Sequence, residues 1–190
     1  VKRFFQWTDE ENLYPDIARY IKGAKITRNF KKDYLTSQQA RSILSSIDQS
    51  TLKGKRDYAM LAMMFTMGLR TVEVIRANIE DIRTKGDTTV LYVQGKGHIE
   101  KDDLVRMPSH VELAIRRYLS ARNASETTDP LFASISNHNN QGRMTTRSIR
   151  RIVKSIFISV GFDSPRLTAH STRHTAATLS LLNGATLQQT

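Results

Sequence analysis

The chain has 190 residues, with 29 Lys+Arg against 18 Asp+Glu and a formal net charge of +11. That length suits one domain, or one domain and part of another, and 39% hydrophobic with 25% charged residues describes a globular chain able to bury a core. Zero cysteines exclude a disulfide framework and thiolate zinc sites, no apolar run approaches a bilayer span, no secretion signal is evident, and a pI ≈ 10.1 points to a polyanion, nucleic acid before membrane.

From the N-terminus, Phe4, Phe5, Trp7, Leu13, Ile17 and Ile21 follow a helical apolar spacing, with a break expected at Tyr14-Pro15. So much aromatic surface suits the end of a preceding domain, or a helix docked on the main one. Residues 23–34 are polar, basic and without period. They are expected to form a linker whose Lys25, Arg28, Lys31 and Lys32 follow a phosphate backbone. Thr36 opens the main domain. Thr36-Ser-Gln-Gln39 has the capping-box pattern, and Ala40, Ile43, Leu44 and Ile47 keep one apolar face. A second helix, over 53–67, is almost continuously apolar and is expected to be the central core helix, stopped by Gly68. A short helix over 71–77 follows.

The period then changes. Residues 79–83, 88–94 and 103–107 are predicted strands, with turns at Lys85-Gly-Asp87 and Gly95-Lys-Gly97. A sheet that small must pack on helices. Ser109-His-Val-Glu112 has a second capping-box pattern, and opens a helix carrying Leu113, Ala114, Ile115, Tyr118 and Leu119. Residues 123–142 are expected to be loop apart from Leu131-Phe132. Residues 145–160 form a basic amphipathic helix, with Ile149, Ile152, Val153 and Ile156 inside and Arg147, Arg150, Arg151 and Lys154 outside as candidate DNA contacts. A last helix, over 168–184, puts His170 and Arg173 on one face and ends at Asn183-Gly184. The class is mainly α with a small three-stranded antiparallel β-sheet.

Three short motifs stand out, in this order. Gly68-Leu-Arg-Thr-Val-Glu73 leaves the core helix with Arg70 at the mouth of the next one, where Glu73 can hold its guanidinium. Gly95-Lys-Gly97 puts Lys96 on a hairpin tip. His170-Ser-Thr-Arg-His174 follows near the end. In order, spacing and predicted elements, the set closely resembles the tyrosine recombinase (phage integrase) family, including integrases of conjugative transposons. The resemblance covers about 36–190.

The resemblance implies roles. Arg70 and Arg173 match the arginines that bind the scissile phosphate, Lys96 the hairpin lysine, and His170 the histidine before the second arginine. Glu73 matches an acidic support for Arg70, and His174 a supporting histidine. Lys101 is a neighbour that takes the lysine's role if the hairpin register is shifted. The implied activity is site-specific recombination through a 3′-phosphotyrosine, without metal, ATP or cofactor. The implied partners are a double-stranded DNA recombination site and other protomers in a tetrameric synapse, in the bacterial cytoplasm and with no membrane. The implied domains are the end of a core-binding domain (1–22), a basic linker (23–35) and a catalytic domain (36–190).

The chemistry asks for these groups independently. A phosphodiester repels nucleophiles, and attack by a phenolate builds charge on non-bridging oxygens that two forked guanidiniums can neutralise. A lysine can protonate the leaving 5′-oxygen, and a histidine can manage the nucleophile's proton. His170 and His174, at i and i+4, could also suggest zinc. Without cysteine or a His-Glu-x-x-His motif, no metal is expected.

The sequence departs from the family in three places, one being that no histidine or tryptophan follows His174 to fill the family's later histidine/tryptophan position. Thr172 stands where Leu is usual. More seriously, the tyrosines are Tyr14, Tyr20, Tyr34, Tyr58, Tyr92 and Tyr118, and none follows Arg173. Thr186-Leu-Gln-Gln-Thr190 looks like a helix cut off soon after it starts, so the chain is expected to stop before its nucleophile and to be inactive in cleavage. Two alternatives remain: a type IB topoisomerase-like enzyme, and a non-catalytic helical DNA-binding module.

Overall fold

The structure is a computed structural model that describes residues 1–23, 33–95, 97–124 and 126–186. The chain divides into two compact units, Val1–Phe30 and Lys31–Thr190.

In the first unit, α1 spans Lys2–Glu10. It ends short of the expected break. Asn12 takes the left-handed conformation at φ 55°, and the Leu13 amide donates back to the Thr8 carbonyl at 2.8 Å. Asn tolerates that conformation, so the helix closes four residues or so before the proline has any say. Leu13, Ile17 and Ile21 therefore lie in exposed turns and do not continue a helical stripe. Phe4 and Phe5 pack edge to face, with ring centroids 5.3 Å apart.

The second unit begins at the expected cap. Thr36 Oγ1 accepts from the Gln39 amide and Gln39 Oε1 accepts from the Thr36 amide, which starts α2 (Ser37–Ser45). Helix α3 (Leu52–Met67) is the centre of the molecule. Ala59, Met60, Leu61, Met63 and Met64 are all buried, and α2, α5 (Ser109–Arg122) and α7 (Ala169–Leu182) pack around it. A helix buried on every side needs an apolar circumference, which the sequence supplies. Gly54 lets its first turn pass the Asp48 carbonyl: a Cβ there would meet that oxygen at 1.6 Å. Gly68, at φ 62°, ends the helix in the left-handed conformation. Helix α4 (Thr71–Arg76) follows directly.

Strands β1 (Ile82–Lys85), β2 (Thr88–Val93) and β3 (Asp103–Arg106) form an antiparallel sheet in the order β1-β2-β3. Ile82 faces Leu91, and Val93 faces Asp103. The first strand starts three residues later than its apolar pattern suggests, because Ile79–Asp81 is a 3-10 turn. The Asn78 amide donates to Asp81 Oδ2 at 2.7 Å, and the Ile79 and Glu80 amides go to the Asp129 and Thr127 carbonyls. Those amides are thus spent before a ladder can use them.

The second expected capping box does not form. Ser109 is the first residue of α5 and Pro108 is the cap, so the Val111 and Glu112 amides take the Pro108 carbonyl. Proline is comfortable in the extended conformation required there, and the serine, one place too far in, cannot reach back. The freed Glu112 carboxyl turns to Thr89 and Arg116, which hold its pKa below the usual carboxylate value. Tyr118, fully buried, stacks on Phe132 with centroids 5.8 Å apart, and its hydroxyl accepts from the Ala133 amide. Helix α6 (Thr146–Ser159), capped by Thr145, buries Ile149, Val153 and Phe157.

Candidate active site

Two chain reversals at the end of α3 build the site. Leaving Gly68, the chain buries Leu69 and takes Arg70 as the extended cap of α4. Glu73, buried to 4% exposure, turns back on it. Its Oε2 accepts from the Arg70 amide and its Oε1 from Arg70 Nη1, both at 2.7 Å. One carboxylate thus caps the helix and fixes the root and the head of the arginine together. The Arg70 side chain keeps 42% exposure, so part of its fork remains open.

The other reversal starts α7. Ser171 Oγ accepts from the Thr168 amide, and His170 and Arg173 follow within the first turns. Arg173 is half-buried, and its Nη1 donates to the Gly68 carbonyl at 2.6 Å. That carbonyl sits at the negative end of α3, where a cation is favoured. One arginine therefore leaves the turn after α3 and the other is bonded to it.

Two adjoining cavities, of about 540 and 470 Å³, share Leu69, Arg70 and Arg173 as lining. The larger is walled by Val93 and by β3; the smaller is walled by Thr168, His170 and Arg150. The structure thus brings Arg70, His170 and Arg173 together, and adds Arg150, one of the cations expected on the outer face of α6. His174 is exposed and lines neither cavity, but its ring meets that of His170 edge to face at 4.6 Å. Lys96 lies outside the described residues, as do Lys25, Arg28, Lys31 and Lys32 and most of the helix expected to start at Thr186. Lys101 is bonded to the buried Asp81 carboxylate.

On α6, Arg147, Arg150 and Arg151 are exposed. Lys154 is engaged within the chain, donating to Asp163 Oδ1 and the Ser164 carbonyl at 2.9 Å each. Arg151 lines a separate cavity of about 480 Å³ at the opposite end of α3, beside the buried Arg56–Asp57 pair. Burial pushes the Asp57 carboxyl up, against the opposing pull of Arg56. Among the described residues, the one grouping of three His, Asp or Glu side chains at ion-binding spacing is His98, Asp102 and Asp103, all exposed on the β2–β3 side, and of these Asp103 also lines the larger cavity.

Thr172, the departure from the usual leucine, is fully buried and donates its hydroxyl to the Ala169 carbonyl at 2.8 Å, which removes the cost of burying it. Thr175 escaped the sequence reading. Its buried Oγ1 accepts from the Leu35 amide at 2.9 Å and donates to the Ser171 carbonyl at 2.8 Å. It ties the entry of the unit to the helix of His170 and Arg173. The only signal was its place on the inner face of that helix.

Residues 33–189 match the phage integrase family. The chain belongs to that family. Tyrosine recombinase XerC of Corynebacterium glutamicum is 31% identical over 192 residues, covering 100% of this chain and 59% of its own length. The chain therefore spans about 59% of such a relative. Among solved structures, XerH site-specific recombinase bound to palindromic difH substrate, in a post-cleavage complex, superposes with a TM-score of 0.73 at 20% identity, over 95% of this chain and 53% of that one. The Tn1549 transposon integrase (residues 82–397), in complex with circular intermediate DNA, gives 0.69 at 21% identity, over 98% and 65%. Those likenesses establish the fold. The helices around α3 and the three-stranded sheet are those of a tyrosine recombinase catalytic domain. In this phage integrase family member, no helix among the described residues is long and apolar enough to cross a membrane.

Proposed function

We propose that these residues belong to a site-specific DNA recombinase, an integrase of a mobile genetic element, that cuts and rejoins DNA through a 3′-phosphotyrosine. The observation that carries this reading is the meeting of Arg70, Arg173 and His170 at one cleft in a chain of the phage integrase family. Arg70 and Arg173 neutralise the non-bridging oxygens of the scissile phosphate. A phenolic oxygen forms the new bond to phosphorus, the bond to the 5′-oxygen breaks, and Lys96 gives that oxygen its proton. His170 manages the proton of the nucleophile. The phosphotyrosine keeps the bond energy, so no ATP is consumed, and the two guanidiniums do the work a metal would do. Glu73 and His174 support Arg70 and His170.

The partners are duplex DNA carrying a recombination site, and further protomers. The XerH and Tn1549 structures, both solved with DNA, support the first. Residues 1–22 are assigned to the end of a core-binding domain, 23–35 to a basic linker that follows the backbone, and 36–190 to the catalytic domain. The exposed Arg147, Arg150 and Arg151 face DNA. None of the six tyrosines is assigned as nucleophile. Tyr118 is fully buried and Tyr92 lies under the Arg83 guanidinium, 4.7 Å from its ring centre. The 190 residues alone are accordingly inert in cleavage.

The test uses the full reading frame containing these residues, incubated with a nicked suicide site in EDTA and without ATP. A covalent protein–DNA complex is expected. A requirement for a divalent metal overturns the mechanism, and relaxation of supercoils without any recombination site favours a topoisomerase. A covalent band from the 190 residues alone overturns their assignment as inert.

A further inference from the structure

The β2–β3 connection is an unusual hairpin end. It is rooted on the wall of the arginine cleft, because Val93, which closes β2, and Asp103, which opens β3, pair with each other and line the larger cavity. It is also long for a hairpin, running from Gln94 to Asp102. A loop of that length with glycines at 95 and 97 would sample many shapes unless something held it. Side chains hold it. Gln94 Nε2 donates to the His98 carbonyl at 2.9 Å and the Ile99 carbonyl at 2.8 Å. His98 Nδ1 lies 2.9 and 3.1 Å from the two oxygens of Asp102, closing the loop across its width. The Asp103 carboxylate folds over Gly95, where a Cβ would meet its Oδ2 at 2.7 Å. On the exit side, Lys101 is anchored to Asp81.

Apart from the Lys101–Asp81 pair, none of this serves the core: His98, Ile99, Asp102 and Asp103 are all exposed. Exposed polar bonds add little to global stability, so a loop that carries several at once is shaped locally. We propose that Gln94, His98 and Asp102 are positioning residues: they clasp the β2–β3 connection, rooted on the wall of the arginine cleft, in one shape, and proton delivery to the leaving oxygen depends on that clasp. The inference rests on the functional reading above, in which Lys96, carried by this loop between Gly95 and Gly97, protonates the leaving oxygen.

The clasp responds to pH. The hydrogen bond from Asp102, and then its charge, raise the His98 pKa above its ordinary 6.5, with Asp103 adding to the same effect. Reciprocally, His98 holds Asp102 below the usual carboxylate value. For a histidine raised by its partner, the bond is complete below 6.5 and is lost as pH climbs through the raised value. On the acid side it persists until Asp102 protonates, below 3.8. Among the described residues, the charged groups acting on His98 from the loop and from β3 are Asp102 and Asp103.

Two measurements test the clasp separately from the chemistry. In the 190-residue chain, the His98 ring should titrate above 6.5 by NMR and return toward it in Asp102→Asn, and amide exchange over 97–103 should rise in Gln94→Ala, His98→Ala and Asp102→Asn. A His98 titration that Asp102→Asn leaves unmoved sinks the clasp whatever the enzyme does. In the full reading frame, nicked sites with either an ordinary 5′-oxygen or a bridging 5′-sulfur at the scissile bond are compared. A thiolate leaves without a proton, since thiols are far more acidic than alcohols. The variants should lose roughly ten- to a hundredfold on the oxygen substrate, a share of the 10²–10⁴ that a general acid supplies. They should cleave the sulfur substrate near the wild-type rate, and His98→Asn, which can still donate to Asp102, should recover part of the loss. Equal losses on both substrates, or none on either, overturn the proposal. Wild-type protein that forms no covalent complex on either substrate refutes the functional reading instead, and leaves the NMR result to judge the clasp.

Discussion

The two walls of the cleft hold their charges by different means. On the helical wall, Arg70 is tied to a carboxylate at 4% exposure and Arg173 to the carbonyl that ends the central helix. On the hairpin wall, apart from the bond of Lys101 to the buried Asp81, the loop is tied by its own exposed groups, Gln94 to the His98 and Ile99 carbonyls and His98 to Asp102. A bond into the core can be lost only with the core, whereas an exposed bond breaks for about its own small free energy. The helical wall is therefore fixed before any ligand arrives, and the hairpin wall is adjustable. That division suits a reaction in which a phosphate must be gripped throughout and a proton delivered once.

The most direct way to break the fixed wall is to remove its forks. Arg70→Ala or Arg173→Ala in the full reading frame should slow covalent-complex formation by roughly 10²–10³-fold, about 3 kcal/mol of transition-state stabilisation. Affinity for the uncleaved site should change far less, because other cations hold the duplex. Gel shift beside suicide cleavage separates the two. Parallel losses of binding and cleavage would support a DNA-binding module without chemistry.

The supports behind that wall come next. Thr175→Val leaves the buried Leu35 amide without its acceptor, and Tyr118→Phe does the same to the Ala133 amide. Each should lower unfolding free energy by about 1–3 kcal/mol in urea titrations. Thr175→Ser, which restores the oxygen, should recover much of the first loss. A Thr175→Val protein as stable as wild type would show that the entry of the unit is not held through this hydroxyl. No comparable stability loss is expected from the exposed hairpin residues, and that contrast sharpens the distinction between the walls.

The same division explains which features were legible in the sequence. The Thr36 cap, the stop at Gly68 and the Arg70–Glu73 pair are each complete within a few residues, so local chemistry decides them. Features closed by distant partners were not legible. Arg173 meets a carbonyl 105 residues away, and Thr175 an amide 140 residues away. The 3-10 turn at Ile79–Asp81 is pinned by Thr127 and Asp129, which no strand pattern could reveal. The Ser109-x-x-Glu112 pattern misled because Pro108 is the better cap for an extended position. Sequence order nominated Arg70, His170 and Arg173. Their convergence at one cleft needed the fold.

The smallest expected effect concerns the cations of α6, where held and open charges sit side by side. Arg151 is exposed at the rim of the remote cavity, whereas Lys154 is engaged by Asp163 and the Ser164 carbonyl. A cation already bonded within the chain must give up those bonds to meet a phosphate, so its net contribution to binding is small. An open cation that displaces one condensed counterion adds about −0.9 to the slope of log affinity against log salt. For the 190-residue chain on duplex DNA, Arg151→Ala should therefore flatten that slope by about 0.9. Lys154→Ala should leave it nearly unchanged, and should alter stability by no more than about 1 kcal/mol, since its ion pair is largely solvated. Filter binding over a range of salt concentrations measures the slopes. If Lys154→Ala flattens the slope as much as Arg151→Ala, the intramolecular bonds do not withhold that lysine from DNA, and the partition of α6 into held and open cations fails.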